Sequence, residues 1–466
     1  MDKLQNTSYS NKENIIFYII SIPFLCFSFV IYYFGVIESS SDLRIYIALV
    51  SGIVGLFFLF PHNSLVTSKI ILLLSVFSSV IALYTYEGFL IYRTSIAVIN
   101  DQIAIADKRG VPYDYRDIWE VMRDLKKEGV SAYPPTAHFL NAPIVLPTHG
   151  KVLPFSSHSN ATIVVCNETG QYLIEKSDRF GFLNPDTVYN DELDIAFIGD
   201  SFTQGFCTKH NFTNNIRQKF PRLATFGLGH TSPLSEFAIL REYAEPLKPP
   251  LVFWVYYEND LSDLLRVHNN PILLSYLSEG KIQNLRKLQP EIDSSIVARA
   301  EKLLKQQGDI DGQTRSSFHS FMLLNQLRHR FQLNIRGKRL TNSRGVSELR
   351  SVLPLFKKTM KSAKDVVEGF GGKFVFVYLP SAFRFLKTDA SYTDYKLKDE
   401  VLDIIADLNI GIINMTTIFE VHKNPVEAYW SHPSSHYNGA GNKTLSDTII
   451  RYIKLNNFGL AAHSNK

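Results

Sequence analysis

The stretch IIFYIISIPFLCFSFVIYYFGVI, from Ile15 to Ile37, carries no charged residue, and it constrains the fold more than any other part of the chain. Wound as a helix, a run of this length spans the roughly 30 Å hydrocarbon layer of a bilayer, where a helix satisfies its backbone groups from within one segment. It is too long, and lacks the small-residue cleavage pattern, for a removable signal peptide, and Pro23 is expected to kink it. Two shorter apolar runs follow, Leu43 to Phe60 and Ile70 to Tyr86, with Arg44 and Lys69 at their borders and the turn-rich PHNSLVTS between them. Either short run alone could be a buried helix of a soluble domain; the three in series predict a membrane domain over residues 1–92 with three transmembrane helices. The flanking cations are nearly level: Lys3 and Lys12 before the first span, Arg44 and Lys69 in the loops, Arg93, Lys108 and Arg109 after the third. The count of positive charges therefore leaves open which compartment receives the rest of the chain.

At 466 residues the chain exceeds one ordinary core, and two or three structural units are expected. Residues 93–190 read as a connecting module: a polar helical stretch, YRDIWEVMRDLKKE, then a Pro-rich extended passage from Tyr133 to Pro154, with no catalytic signature. Of three cysteines, Cys26 lies in the first apolar run, leaving Cys166 and Cys207. Their spacing leaves open a disulfide, which would need an oxidising compartment, or two buried thiols.

From residue 191 short apolar runs alternate with amphipathic segments, the pattern of a parallel sheet with helices on both faces. Strands are expected at Ile195–Gly199, Leu223–Leu228, Leu251–Tyr257, Lys373–Leu379 and Ile410–Met415, with helices near Phe212–Phe220, Leu234–Leu247, Ser351–Glu368 and Leu397–Leu408. The fold class is α/β, a flavodoxin-like three-layer unit with a five-stranded parallel sheet over 191–455. An insertion at about 266–350 holds fifteen Lys and Arg against seven Asp and Glu, 15 − 7 = +8, against +5 for the whole chain. Such a surface suits anionic lipid headgroups or an acidic glycan, or is simply a solvated helical face. No nucleic-acid motif accompanies the charge, so no nucleic-acid partner is expected.

In a doubly wound sheet ligands bind outside the carboxyl ends of the strands. Four loops there carry chemistry. IAFIGDSFTQGF places Ser201 just past the first strand, in a turn leading to a helix N-terminus that would favour a developing negative charge. GLGHTSP, after the second, can turn backbone N–H groups inward. YYENDLSD, after the third, brings Asn259; HPSSHYNGAGN, after the fifth, brings His436. A hydroxyl, a backbone donor, an amide donor and an imidazole are the parts needed for acyl transfer.

GDSFT at 199–203, the glycine-bearing loop at 227–230, the Asn259-Asp260 pair and H-x-N-x-x-G at 436–441 resemble the four blocks of the SGNH, or GDSL-type, hydrolases. The resemblance covers about 191–455. It implies Ser201 as nucleophile, His436 as base, and an oxyanion hole from Asn259 and the backbone N–H of Gly229 or His230. NETGQYLIEKSDRFGFLNP and FWVYYENDLSDL resemble a membrane-tethered bacterial subgroup whose relatives add or remove O-acetyl groups on cell-surface and exported polysaccharides. That implies an inner-membrane protein with its soluble domain in the periplasm or outside the cell, a glycan substrate, membrane lipid around it, and a membrane acyl donor or export partner.

The family commonly has Asp three residues before the base; here that place holds Pro433. A carboxylate from another loop, or a backbone carbonyl, would have to orient the imidazole, or the enzyme would run on a Ser-His dyad. Thr225 stands where an asparagine often opens the second block, and His230 replaces a frequent glycine. His432 competes with His436, which alone stands in H-x-N-x-x-G. Asp200 and Asp260 are expected to hold their turns through backbone N–H groups. Pro433 disfavours a helical metal pair at His432 and His436, and neither GxxxxGK nor GxSxG occurs; no metal and no cofactor are expected. Two readings follow: a membrane-anchored serine esterase or O-acyltransferase, and a non-catalytic glycan-binding subunit of a polysaccharide assembly or export complex, the latter motivated by the missing Asp.

Overall fold

The computed structural model describes residues 66–135, 143–307, 321, 322, 324, 327, 345–386, 394–430 and 436–460. Contacts divide the chain into two units, residues 1–96 with 313–341, and residues 97–312 with 342–466.

In the first unit, helix Val66–Arg109 contributes its residues up to 96. The Tyr84 hydroxyl donates to the Met322 carbonyl at 3.0 Å, and the buried Glu87 carboxylate accepts the Leu327 N–H at 2.8 Å. Two of the expected spans, Ile15–Ile37 and Leu43–Phe60, lie outside the described residues. The third, Ile70–Tyr86, is helical as expected, but the helix runs on through Glu87 and Arg93 for 44 residues in all. Among the described residues no helix is long and apolar enough to cross a membrane. Phe77, Val80, Ile81, Leu83, Phe89 and Tyr92 are nevertheless exposed on it.

The second unit is built on strands β1 (Ala132–Tyr133), β2 (Ile144–Leu146), β3 (Gly150–Val152), β4 (Thr162–Cys166), β5 (Leu173–Lys176), β6 (Ile195–Gly199), β7 (Leu223–Gly227), β8 (Leu251–Tyr257), β9 (Lys373–Leu379) and β10 (Gly411–Asn414). Its main sheet has the order β10-β9-β8-β6-β7, every pair parallel. Both faces are covered, so the strands read as continuous apolar runs, and side chains still alternate between two cores. Ala196, Ile198, Val252 and Trp254 face helices Leu353–Gly369 and Leu285–Gln307. Ile195, Phe197, Leu251 and Phe253 face helices Phe212–Arg217 and Gly439–Asn456. The insertion after β8 is therefore more than a solvated face: Leu285, Leu288, Ile292 and Ile296 are buried in the first core.

The chain leaves β6 for the edge strand β7, then crosses back to β8 on the other side of β6. That reversal opens a crevice at the carboxyl ends of β6 and β8, between the turns that carry Ser201 and Asn259. From residue 97 on, the connecting segment also belongs to this unit. Helix Ile118–Lys127 begins at a capping box, Asp117 with Glu120, which satisfies two orphan N–H donors. β4 pairs with β1 and β5 in a small sheet, and the β4–β5 loop carries Glu168.

Candidate active site

The turn after β6 is forced back over the strand ends, and the glycines on either side of it explain how. A Cβ on Gly199 would lie 2.6 Å from the Val255 carbonyl oxygen, and one on Gly227 would lie 2.2 Å from the Gln204 nitrogen. Only hydrogen fits there. Asp200 caps the turn by accepting the Phe202 N–H at 2.9 Å, and its other oxygen lies 3.4 Å from the Ser201 hydroxyl. Ser201–Gln204 is a single helical turn closed by Gly205 in the left-handed region at φ 78°. The expected helix behind Ser201 is thus one turn long and carries little macrodipole.

His436 reaches this turn from the other end of the chain. Its Nε2 lies 2.8 Å from Ser201 Oγ, and the rings of Phe202 and Phe206 flank the imidazole at 4.7 and 4.8 Å between centroids. The H-x-N-x-x-G pattern has a local cause. Asn438 caps helix Gly439–Asn456 through Ala440 N–H and Gly441 N–H, and a Cβ on Gly441 would lie 2.2 Å from the Ala428 carbonyl oxygen. These two residues aim the short segment that carries His436. His432, Pro433, Ser434 and Ser435 lie outside the described residues.

The carboxylate comes from Glu168, in the segment that shows no catalytic signature as sequence. Its Oε1 lies 2.8 Å from His436 Nδ1, and its Oε2 accepts the His436 backbone N–H at 3.2 Å. With Nδ1–H donating to Glu168, Nε2 is left to accept the serine proton. A backbone-carbonyl partner or a bare dyad is not what the geometry shows. The signal that could have found Glu168 is the cysteine pair: Cys166 and Cys207 form a disulfide with Cα atoms 5.4 Å apart, which brings residue 168 beside residue 201.

The expected oxyanion donors are placed differently from each other. Gly229 adjoins Ser201, since a Cβ on it would lie 3.6 Å from Ser201 Cβ. Its N–H, however, donates to Gln204 Oε1 at 2.9 Å, a correction to the expectation of a free donor; Gln204 must swing aside for Gly229 to serve. Asn259 Nδ2 donates to Asp263 Oδ2 at 3.2 Å. Asp263, also paired with Arg266 at 2.8 Å, fixes which end of the amide carries the donors, because a flipped amide would set oxygen against carboxylate. His230 takes the left-handed region at φ 62°, where a glycine would be unstrained.

Electrostatics separate the roles. Burial pulls the His436 imidazole down, but the Glu168 charge and hydrogen bond, with Asp200 behind them, outweigh it and raise it above its ordinary value. Burial, then mutual repulsion, raises Glu236 and Asp260 well above the carboxylate range. Asp260 holds its turn by accepting the Tyr257 N–H at 3.2 Å. Among the described residues no group of three or more His, Cys, Asp or Glu side chains is arranged to hold a metal.

A base must be neutral to accept a proton, so the reaction of Ser201 with an electrophilic probe is expected to quicken with pH along a limb displaced above the usual imidazole value. Initial rates from about pH 5 to about pH 9 test it; a limb at or below that value would show that Glu168 exerts no charge on His436. The stability sign is opposite. The raised folded value contributes stability below an unfolded value of about 6.5, lost as pH rises through the folded one.

No family model matches the chain, and no curated protein matches it. Solved structures similar to it include a lipase/acylhydrolase from Enterococcus faecalis, 10% identical over 59% of this chain and 99% of that one, TM-score 0.34. An acetylxylan esterase from Geobacillus stearothermophilus is 12% identical over 56% and 93%, TM-score 0.32. A GDSL-like lipase from Bacteroides thetaiotaomicron is 12% identical over 56% and 88%, TM-score 0.29. Similarity at this level says nothing of activity.

Proposed function

We propose that the chain is an SGNH-type serine acyl-transfer enzyme, an O-acetylesterase or O-acetyltransferase, acting at a membrane on a cell-surface or exported polysaccharide. The observation that carries the reading is the unbroken relay Ser201–His436–Glu168, each link 2.8 Å. Ser201 Oγ attacks the ester carbonyl as its proton passes to His436 Nε2. The tetrahedral oxyanion is met by Asn259 and, once Gln204 moves, by Gly229. Collapse breaks the ester C–O bond, and the imidazolium returns its proton to the leaving oxygen. The acyl-Ser201 so formed is attacked by water or by a sugar hydroxyl, with His436 again as base. Glu168 holds the ring in its tautomer and stabilises the imidazolium. The missing Asp was the motive for a non-catalytic subunit; Glu168 removes that motive.

The charge-free Ile15–Ile37 run and the exposed apolar residues of helix Val66–Arg109 support anchoring in a membrane. The Cys166–Cys207 bridge suits a periplasmic or extracellular site domain. A polar cavity of about 460 Å³ reaches Gln204 and is lined by Asn160, Lys176 and Thr208, suited to hydroxyl-rich ligands. A fluorophosphonate probe is expected to label the wild type and not Ser201→Ala, and glycan acylation in cells is expected to change with the same substitution. A folded wild-type protein that takes up no label would overturn the reading.

A further inference from the structure

The acid loop is the part of the site that the strand-end blocks leave unsupported, and it is held from two sides. Glu168 lies two residues past Cys166, and Cys207 lies six past Ser201, so the bridge joins the end of β4 to the far end of the nucleophile turn. Both cysteines are buried. Cys207 itself sits in the left-handed region at φ 62°, a conformation uncommon outside glycine. On the opposite side, Arg109 donates to the Thr169 carbonyl at 2.6 Å and Gln102 to the Asn167 carbonyl at 3.1 Å. The Asp114 N–H donates to the Gly170 carbonyl at 2.7 Å. A Cβ on Gly170 would lie 2.4 Å from Ala106 Cβ, so the helix end presses directly on the loop. A loop residue fixed this way needs no support from the segment before His436, where the usual Asp would stand.

We infer that the Cys166–Cys207 bridge, with Arg109 across the loop, is a positioning clamp for Glu168: while it is intact the enzyme works as a triad, and without it as a Ser201–His436 dyad. The inference rests on the function proposed above. The bridge acts through the carboxylate, and because Cys207 also ends the turn that carries Ser201, a background lacking the carboxylate separates that route from a loosened turn. Among the described residues, the charged or titratable groups facing His436 are Glu168, Asp200 and His230, and of these only Glu168 rides on the clamped loop.

The test is a cycle in the full-length, detergent-solubilised protein, read as fluorophosphonate labelling rate against pH and normalised to the labelling end-point. Cys166→Ser/Cys207→Ser is expected to slow labelling by between about tenfold and the loss expected for Glu168→Ala, and to move the limb to lower pH. In a Glu168→Ala background, where no acid is left to position, removing the bridge is expected to change the rate by less than about threefold. Equal losses in both backgrounds, or an unmoved limb, would show a merely structural bridge and overturn the inference. If the cysteine variant misses the wild-type end-point, Arg109→Ala decides: its limb shifts the same way, or the clamp is refuted. Wild type that labels while the clamp variants match it sinks the clamp and leaves the enzyme standing; wild type that never labels removes both.

Discussion

Glu168→Gln is expected to lower the turnover of a simple aryl acetate by about 10³–10⁴-fold while Ser201 and His436 stay in place. The size follows from the tautomer. A glutamine amide nitrogen opposite Nδ1 makes that atom an acceptor, which puts the ring proton on Nε2, where it can no longer take the proton from Ser201. Glu168→Ala creates no such wrong partner, so it is expected to be the milder variant, with its limb moved to lower pH because the charge that raises His436 is gone. Steady-state kcat against pH for both variants checks the order. Equal activity of Glu168→Gln and wild type would mean that the 2.8 Å contact is a resting-state ion pair with no part in proton transfer.

The sheet was legible because burial on both faces writes itself into sequence as short apolar runs. Ile195–Gly199, Leu251–Tyr257 and Lys373–Leu379 form strands with the expected bounds, and the other two are shorter by one residue or two. Ser201 and His436 were legible because strand-end loops converge, and their side chains do meet. Glu168 was hidden for a physical reason. It comes from a segment before the first main strand, brought in by a disulfide and by the end of helix Val66–Arg109, and neither long-range contact leaves a periodic trace. The state of the Gly229 donor was hidden too, because it depends on where one Gln204 rotamer points. The membrane-spanning segments are legible only as composition, and the helix containing Ile70–Tyr86 shows why composition is incomplete. Its apolar run continues into a polar stretch without any break in the backbone.

The second large effect concerns stability at the base of the Asn259 turn. Arg384→Met is expected to destabilise the second unit by about 3–5 kcal/mol, the cost of leaving a buried charge without its partner. Glu258, fully buried, accepts from Arg384 Nε at 2.7 Å, from Ser381 N–H and Oγ at 2.9 and 2.7 Å, and from the Tyr378 hydroxyl at 2.9 Å. These donors tie the end of β9 to the residue just before Asn259. Without Arg384 the remaining neutral donors cannot balance the carboxylate, and the turn that presents the Asn259 amide loosens with it. Glu258→Gln/Arg384→Met removes both charges and is expected to recover a large part of the loss. Thermal melts followed through tryptophan fluorescence, to which Trp254, buried in the same sheet, contributes, compare the two variants. A single variant as stable as the wild type would mean that the Arg384 guanidinium adds nothing to the hold on Glu258, and that Ser381 and Tyr378 alone fix the approach to the crevice.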